Sequence, residues 1–475
     1  MKRGIASIAI AGTCCVLGVT AHGQDLATAP THARAADGSY ISWREHLVDD
    51  QASSGIELRG SDGAVLADLD RDGHIDIVSV HESDDQYDGA AEGHVRIAFG
   101  SADPDRWISV TLAQGAEAGA AEDVAVDDVN GDGYLDVVVA CELAHLLYLE
   151  NPGTAVRDAS RWQRVIPPVT LDRGSFIRVF LADLNDDGRP EVIAANKGAQ
   201  DPTRAQQEPR AISFFELTRE PLDGSSWLEH ELTQVPWPIN SQPVDLDGDG
   251  DRDVIGGSVA LRKMMWFENV GAGGRFDFIE HPIELVAADA RAAPLTVHGF
   301  NMEFVDLSGD GRLDVVTLDT PPLIGRRLLW LEQPADPAAA WRYHLIDDYA
   351  PDSVVGLSVA DIDGDGDPDI MTGGYSLSSR TSDEPTPQSA LGRLAWYENR
   401  AGAWTRHDFS RRQRGMFDQF KAADLDGDGD VDFVTTRGNS GAYDGVLWLE
   451  QVRSREPRPA FERARERDSP EVPLP

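Results

Sequence analysis

A chain of 475 residues carrying 82 Asp and Glu against 42 Lys and Arg has a formal net charge of −40, which repels phosphate backbones and excludes nucleic acid as a partner. Three cysteines in so long a chain exclude a disulfide scaffold. Length alone would allow three average domains, but an internal repeat argues for one large unit.

The chain begins Met1-Lys2-Arg3, continues with an apolar stretch from Gly4 to about Ala21, and reaches small residues before Gln24. This pattern reads as a secretory signal over residues 1–23, cleaved near Ala21 or Gly23. The expected location is secreted, periplasmic or at the cell surface. Cleavage would remove Cys14 and Cys15 and leave Cys141 alone, so no internal disulfide can form. A lipid anchor on Cys14 or Cys15 is the less favoured alternative, because Thr13 is a poor residue before a lipidated Cys. No later apolar stretch is long enough to span a membrane. Residues 24–40 read as a linker.

Seven acidic loops follow, beginning at Asp68, Asp128, Asp183, Asp245, Asp306, Asp361 and Asp424, between 55 and 63 residues apart. The fullest, Asp361-Ile362-Asp363-Gly364-Asp365-Gly366-Asp367-Pro368-Asp369, places oxygen ligands at positions 1, 3, 5 and 9 around a glycine at position 6. Ca²⁺ takes six to eight oxygens, and alternate side chains on a tight loop converge while the glycine permits the turn. Magnesium fits less well. The other copies supply Asp68, Asp70, Asp72 and Asp76; Asp128, Asn130, Asp132 and Asp136; Asp183, Asn185, Asp187 and Glu191; Asp245, Asp247, Asp249 and Asp253; Asp306, Ser308, Asp310 and Asp314; and Asp424, Asp426, Asp428 and Asp432. Up to seven structural Ca²⁺ sites are expected, with the Ser308 loop the poorest. An EF-hand is excluded, since position 12 is Ser79, Val139, Ala194, Gly256, Thr317, Thr372 and Thr435 rather than Glu, and β-branched runs such as Val137-Val138-Val139 follow where a helix would be needed.

Each repeat predicts four strands: one leading into the loop, one leaving it, one containing an aromatic and an acid (Leu328-Leu329-Trp330-Leu331-Glu332), and one of the form Trp341-Arg342-Tyr343-His344. The seventh copy of the last strand is missing after Glu450, yet Trp43-Arg44-Glu45-His46 stands before the first loop with nothing else to belong to. The expected fold is therefore an all-β, seven-bladed β-propeller over residues 41–452, whose N-terminal strand completes the C-terminal blade and removes an open edge. The repeated aromatics and His46, His230, His344 and His407 then read as blade packing. The tail, residues 453–475, is rich in Arg, Glu and Pro and reads as disordered.

From Trp43 to about Gln451 these repeats resemble the FG-GAP/VCBS-repeat propellers and the calcium-bearing blades of integrin α-subunits. The resemblance implies the propeller and its calcium. It does not imply one activity, since that family includes adhesins, lectin-like modules, polysaccharide lyases and sugar dehydratases.

Function is expected on the face opposite the calcium loops, where the repeats diverge. Thirteen residues after each loop start stand His81, Cys141, Asn196, Ser258, Asp319, Gly374 and Arg437, and the next position adds Glu82, Glu142, Lys197 and Tyr375. Strands entering from that face add Arg173, Arg178, Asn240, His298, Asn301, Glu303, Gln419 and Lys421. Arg178, Lys197, Lys421 and Arg437 are candidates to hold a carboxylate or sulfate, with Asn196 and Glu303 beside them. His81, His298 and Tyr375 are candidates for acid–base work, and Trp237 and Phe417 for stacking on a sugar, although core packing explains those two equally well. The favoured reading is a monomeric, exported module that binds a glycan or extracellular protein. The alternative is a carbon–oxygen lyase or sugar dehydratase using His81, His298, Tyr375 and Arg437.

Overall fold

Runs of Val, Ile and Leu bounded by Asp-Gly turns cannot settle as helices, because branched side chains lose χ1 freedom against the preceding turn, whereas they pack well on a pleated surface. The computed structural model describes residues 26–474 apart from 85, 144, 290–293, 320–324, 377–385 and 387. The expected leader, residues 1–23, lies outside the described residues. The strands form seven sheets, antiparallel except for one added parallel strand at the outer edge of blades 5 and 7: blade 1 spans 61–114, blade 2 121–165, blade 3 176–236, blade 4 238–282, blade 5 302–348, blade 6 354–412, and blade 7 420–454. No helix of the described residues is long and apolar enough to cross a membrane.

Blade 7 is closed as expected. The strand Tyr40–Asp50 pairs antiparallel with Gly445–Ser454, from Tyr40 opposite Ser454 to Asp50 opposite Gly445. His46 takes the place its repeat mates hold elsewhere: it stacks on Trp448 at 4.1 Å and hydrogen-bonds Glu450 at 2.7 Å. His344 does the same with Trp330 and Glu332, and His407 with Trp396 and Glu398. His230 pairs with Phe214 and Glu216. These histidines are blade packing.

Apolar side chains from both faces of each sheet fill the gaps between neighbouring blades. The cluster of Val48, Ala64, Ile77, Val434 and Trp448 joins blade 7 to blade 1, so the ring is sealed by the same apolar contact that joins its other members.

Both terminal segments depart from the sequence reading. Residues 24–40 were expected to be a linker, but Ala27, Ala33 and Ala35 are buried in the core between blades 6 and 7. The tail is packed as well. Phe461–Glu462 adds a parallel strand outside Trp43 and Arg44, Asp468 pairs with Arg437 at 2.7 Å and Arg412 at 3.3 Å, and Glu471 accepts from Ser410 and the Arg411 amide. Arg412 also makes a two-pronged pair with Glu45. Arg411, Arg412 and Arg437 are at most 1 % exposed, and a buried guanidinium needs a carboxylate. The tail supplies carboxylates to two of the three.

Burial alone would raise Asp468, but hydrogen bonds from Arg437 and the charges of Arg437 and Arg412 hold it at about 2, below its ordinary 3.8. Its contribution is therefore present above about pH 4 and is lost as pH falls toward 2. In urea denaturation at pH 7, Asp468→Asn is expected to remove about 3 kcal/mol and to flatten the acid limb of the stability profile. An unchanged midpoint would show the tail to be dispensable.

Candidate functional site at the channel mouth

Each inner strand enters from the face opposite the acidic loops, and in five blades its pairing with the next strand slips at the same point. The register jumps from Ala121 to Asp123, Phe176 to Arg178, Pro238 to Asn240 and Val354 to Gly356, and from Ser61 to Ala64 in blade 1. A bulge inserts an unpaired residue and re-aims its side chain. In those five blades the re-aimed residue lies six positions before the loop start. The seven residues at that position, Asp62, Glu122, Ile177, Ile239, Phe300, Val355 and Asp418, all line one pocket.

That ring is divided by charge. Blades 7, 1 and 2 contribute Asp418, Asp62 and Glu122, while blades 3 to 6 contribute apolar side chains. A second ring, one residue beyond the set at thirteen, deepens the division: Glu82, Glu142, Lys197, Val259 and Tyr375 line the same pocket. Asp62, Glu82 and Glu122 bring carboxylate oxygens within 4.8 Å of one another. Burial first, then the charges of Glu142 and Glu82, push Glu122 well above the usual carboxylate range, with Lys197 and Arg178 offsetting part of the rise.

The mouth is floored by a polar plug. Arg178 crosses the channel to Asp418 at 3.2 Å and Asn301 at 3.1 Å, with Asp123 at 3.9 Å. Asn240 donates to the Gly299 and Phe300 carbonyls. Below it lie Glu303 and Lys421, where burial raises Glu303 to about 7 and the Lys421 charge moderates the rise.

Of the residues expected to act, His298 and Tyr375 line the mouth and His81 and Arg437 do not. The His81 ring is enclosed between Ser61 at 2.6 Å and Ser79 at 3.1 Å, and burial, then the Arg96 and His94 charges, lower its pKa well below 6.5. Arg437 is committed to Asp468 and the Arg414 carbonyl. Asn196 braces its own turn by accepting from Ser175 and Gly198. The expected anion-binding set is thereby corrected: Arg178, Lys197 and Arg437 are neutralised by Asp418, Glu142 and Asp468. Phe417 is core, whereas Trp237 lines the mouth with a positive φ of 51°. Sequence reasoning missed the ring of bulged residues, although their fixed distance from the loops was the available signal.

On the opposite face, the position-6 glycines Gly73, Gly133, Gly188, Gly250, Gly311, Gly366 and Gly429 have φ between 85° and 104°, as the turn requires. Three carboxylates converge within 4.8 Å in four loops: Asp68, Asp70 and Asp76; Asp245, Asp247 and Asp249; Asp361, Asp363 and Asp365; and Asp424, Asp426 and Asp432. In the other three, position 3 is Asn130, Asn185 or Ser308. Asp128 Oδ1, Asp251 Oδ1, Asp363 Oδ2 and Asp430 Oδ1 are buried without a hydrogen-bond partner among the described residues. Burial and neighbouring aspartates raise Asp363 to about 6, Asp251 to about 7 and Asp430 to about 8. An oxygen-only donor set short of positive charge fits a hard dication. The first loop differs, because Arg157 already reaches Asp70 and Asp72.

The FG-GAP-like repeat is matched at residues 68–139, 128–194 and 245–317. Each match begins at the first residue of an acidic loop and runs through the second strand of the following blade, so the matched unit is the loop-and-strand repeat described above. No curated protein matches the chain. The chain carries three FG-GAP-like repeats and folds as a seven-bladed β-propeller.

Proposed function

We propose that the protein is an exported propeller that binds the end of a glycan in its channel mouth, with calcium in the acidic loops serving structure alone. The observation that carries this reading is the ring of seven side chains, one per blade and five of them set by bulges, that line a single concave pocket. Its cavity volume is about 150 Å³, the size of a cavity that accommodates benzene. One sugar ring matches that volume, and a protein surface does not. The aromatic and apolar wall suits the C–H face of such a ring.

Calcium would be held by the aspartates of the loops and would supply the positive charge that their converging carboxylates need. The loops lie on the face away from the mouth, so the residues that would meet a ligand are separate from those that would hold the metal. Elimination on a uronate is disfavoured by the same geometry. Among the described residues five acids line the mouth, the one lysine is paired to Glu142, and Arg437 is held by the tail.

Two measurements test this. Excess chelator is expected to lower the melting temperature by about 10 °C or more, because each site loaded at a hundredfold over its Kd contributes about 2.7 kcal/mol; unchanged melting would end the calcium reading. On a glycan array, Val355→Trp, which fills the mouth, is expected to abolish whatever binding the calcium-loaded protein shows while leaving its circular dichroism intact. Binding indifferent to that substitution would place the ligand elsewhere.

A further inference from the structure

Beneath the polar plug, on the side of the acidic loops, lies a second cavity of about 270 Å³. Six of the seven residues three places before a loop start line it: Val65, Ala125, Phe180, Gln242, Glu303 and Lys421. The seven acidic loops ring that end of the channel, and every residue of those loops is described. Phe180, Leu181, Leu357 and Phe420 give the cavity apolar walls, while Gln242, Glu303 and Lys421 bring polar ends from blades 4, 5 and 7.

Among the described residues, none of those three polar side chains has a hydrogen bond or a direct ion pair. Burial outweighs the Lys421 charge at Glu303 and holds the carboxyl at about 7, so the lysine does not settle it. A second, independent observation comes from the ceiling. Arg178 lines the cavity and is only 2 % exposed. Its Nη2 donates to Asn301 and Asp418, which answers its charge. Its Nη1 has no hydrogen-bond partner among the described residues, with Asp123 standing off at 3.9 Å. A buried N–H with no acceptor is costly. Asn301 stands two residues before Glu303 and Asp418 three before Lys421, so the open guanidinium nitrogen overlooks both charged ends from one layer up.

We propose that this lower cavity binds a free α-amino acid with an apolar side chain, its carboxylate accepting from Arg178 Nη1 and Lys421 and its ammonium donating to Glu303. The site is separate from the mouth, because Arg178, Asn301 and Asp418 close the channel between the two, and it goes beyond the glycan reading. A simple amine would leave the lysine and the guanidinium N–H without an acceptor. A simple carboxylate would leave Glu303 without a partner. A dicarboxylate or a phosphate would add negative charge to a cavity that Asp123, Asp418 and Glu303 already line. A zwitterion brings one charge of each sign, and Phe180, Leu357 and Phe420 suit the hydrocarbon that follows it.

The test is calorimetric titration of the full chain, in calcium buffer, with L-leucine, with 4-methylpentanoate, which lacks the amine, and with 3-methylbutylamine, which lacks the carboxylate. Leucine is expected to bind at least tenfold more tightly than either analogue. Lys421→Met is expected to weaken leucine at least tenfold and to leave any binding of 3-methylbutylamine unchanged. Glu303→Gln is expected to weaken leucine at least tenfold and to leave any binding of 4-methylpentanoate unchanged. Neither side chain bonds another described residue, so neither substitution strips a partner from the fold; should one variant not fold, the other carries the test. No heat with leucine, an analogue that binds as tightly as leucine, or full leucine affinity in the folded variants would each overturn the proposal. Loss of leucine binding in Val355→Trp would overturn it too, since that change fills the mouth above the plug and not the cavity below.

Discussion

The carboxylate that ends each acidic loop is the point at which loop, blade and ring are tied together. In six of the seven blades both its oxygens accept backbone N–H groups, one from the second or third loop residue and one from the exit of the third strand. Asp76 accepts from Leu69 and Gly100, Asp253 from Leu246 and Asn269, Asp369 from Ile362 and Asn399, and Asp432 from Leu425 and Gln451. The side chain at that exit often reaches back one blade: Asn151 to the Leu69 carbonyl, Asn269 to Leu184, Gln333 to Leu246 and Gln451 to Ile362. A loop that closes around its ninth residue therefore also sets the register of its own third strand and the spacing to its neighbour. Glu191, longer by one methylene, keeps only the loop bond. Backbone amides buried at a blade edge must find acceptors, and a carboxylate with two oxygens can serve two segments at once.

This explains why so much of the fold was legible before any coordinates. The loops repeat because each blade needs the same staple. The strands on either side are short apolar runs because both faces of every sheet are covered by a neighbouring blade, as the buried Asp136–Cys141 strand illustrates. The stranded Trp43-Arg44-Glu45-His46 could be assigned to blade 7 because its partners, Trp448 and Glu450, carry the pattern of the third strand. Local chemistry and global closure agree at every blade, which is the condition for a sequence to specify one ring.

What stayed hidden was pairing across long sequence distances. Composition measures what a segment can bury by itself, so residues 453–475, poor in apolar side chains, read as disordered. Their role is to neutralise: Asp468 and Glu471 answer Arg437 and Arg412 on blades 7 and 6. The same blindness made Arg178, Lys197 and Arg437 look available for an anion, because nothing local to them reveals that Asp418, Glu142 and Asp468 fold against them. The ring of bulged residues was missed for another reason. Strict alternation predicts which side chains face a sheet's two sides, but a bulge breaks the alternation by one residue, and only the pairing register shows where.

The acidity of the chain thus has two separate meanings. In the loops, carboxylates are spaced at alternate positions of one turn, hydrogen-bonded to their own backbone and exposed on a face where a dication can arrive from solvent. At the mouth, carboxylates come from blades 1, 2 and 7, distant in sequence, and meet only because the ring closes. Opposite them Ile177, Ile239 and Phe300 present carbon. A purely structural charge cluster would gain nothing from an apolar wall across a cavity, since burial of the acids would be costlier beside it. A ligand seated in the mouth would gain from that wall, which removes water from its apolar face.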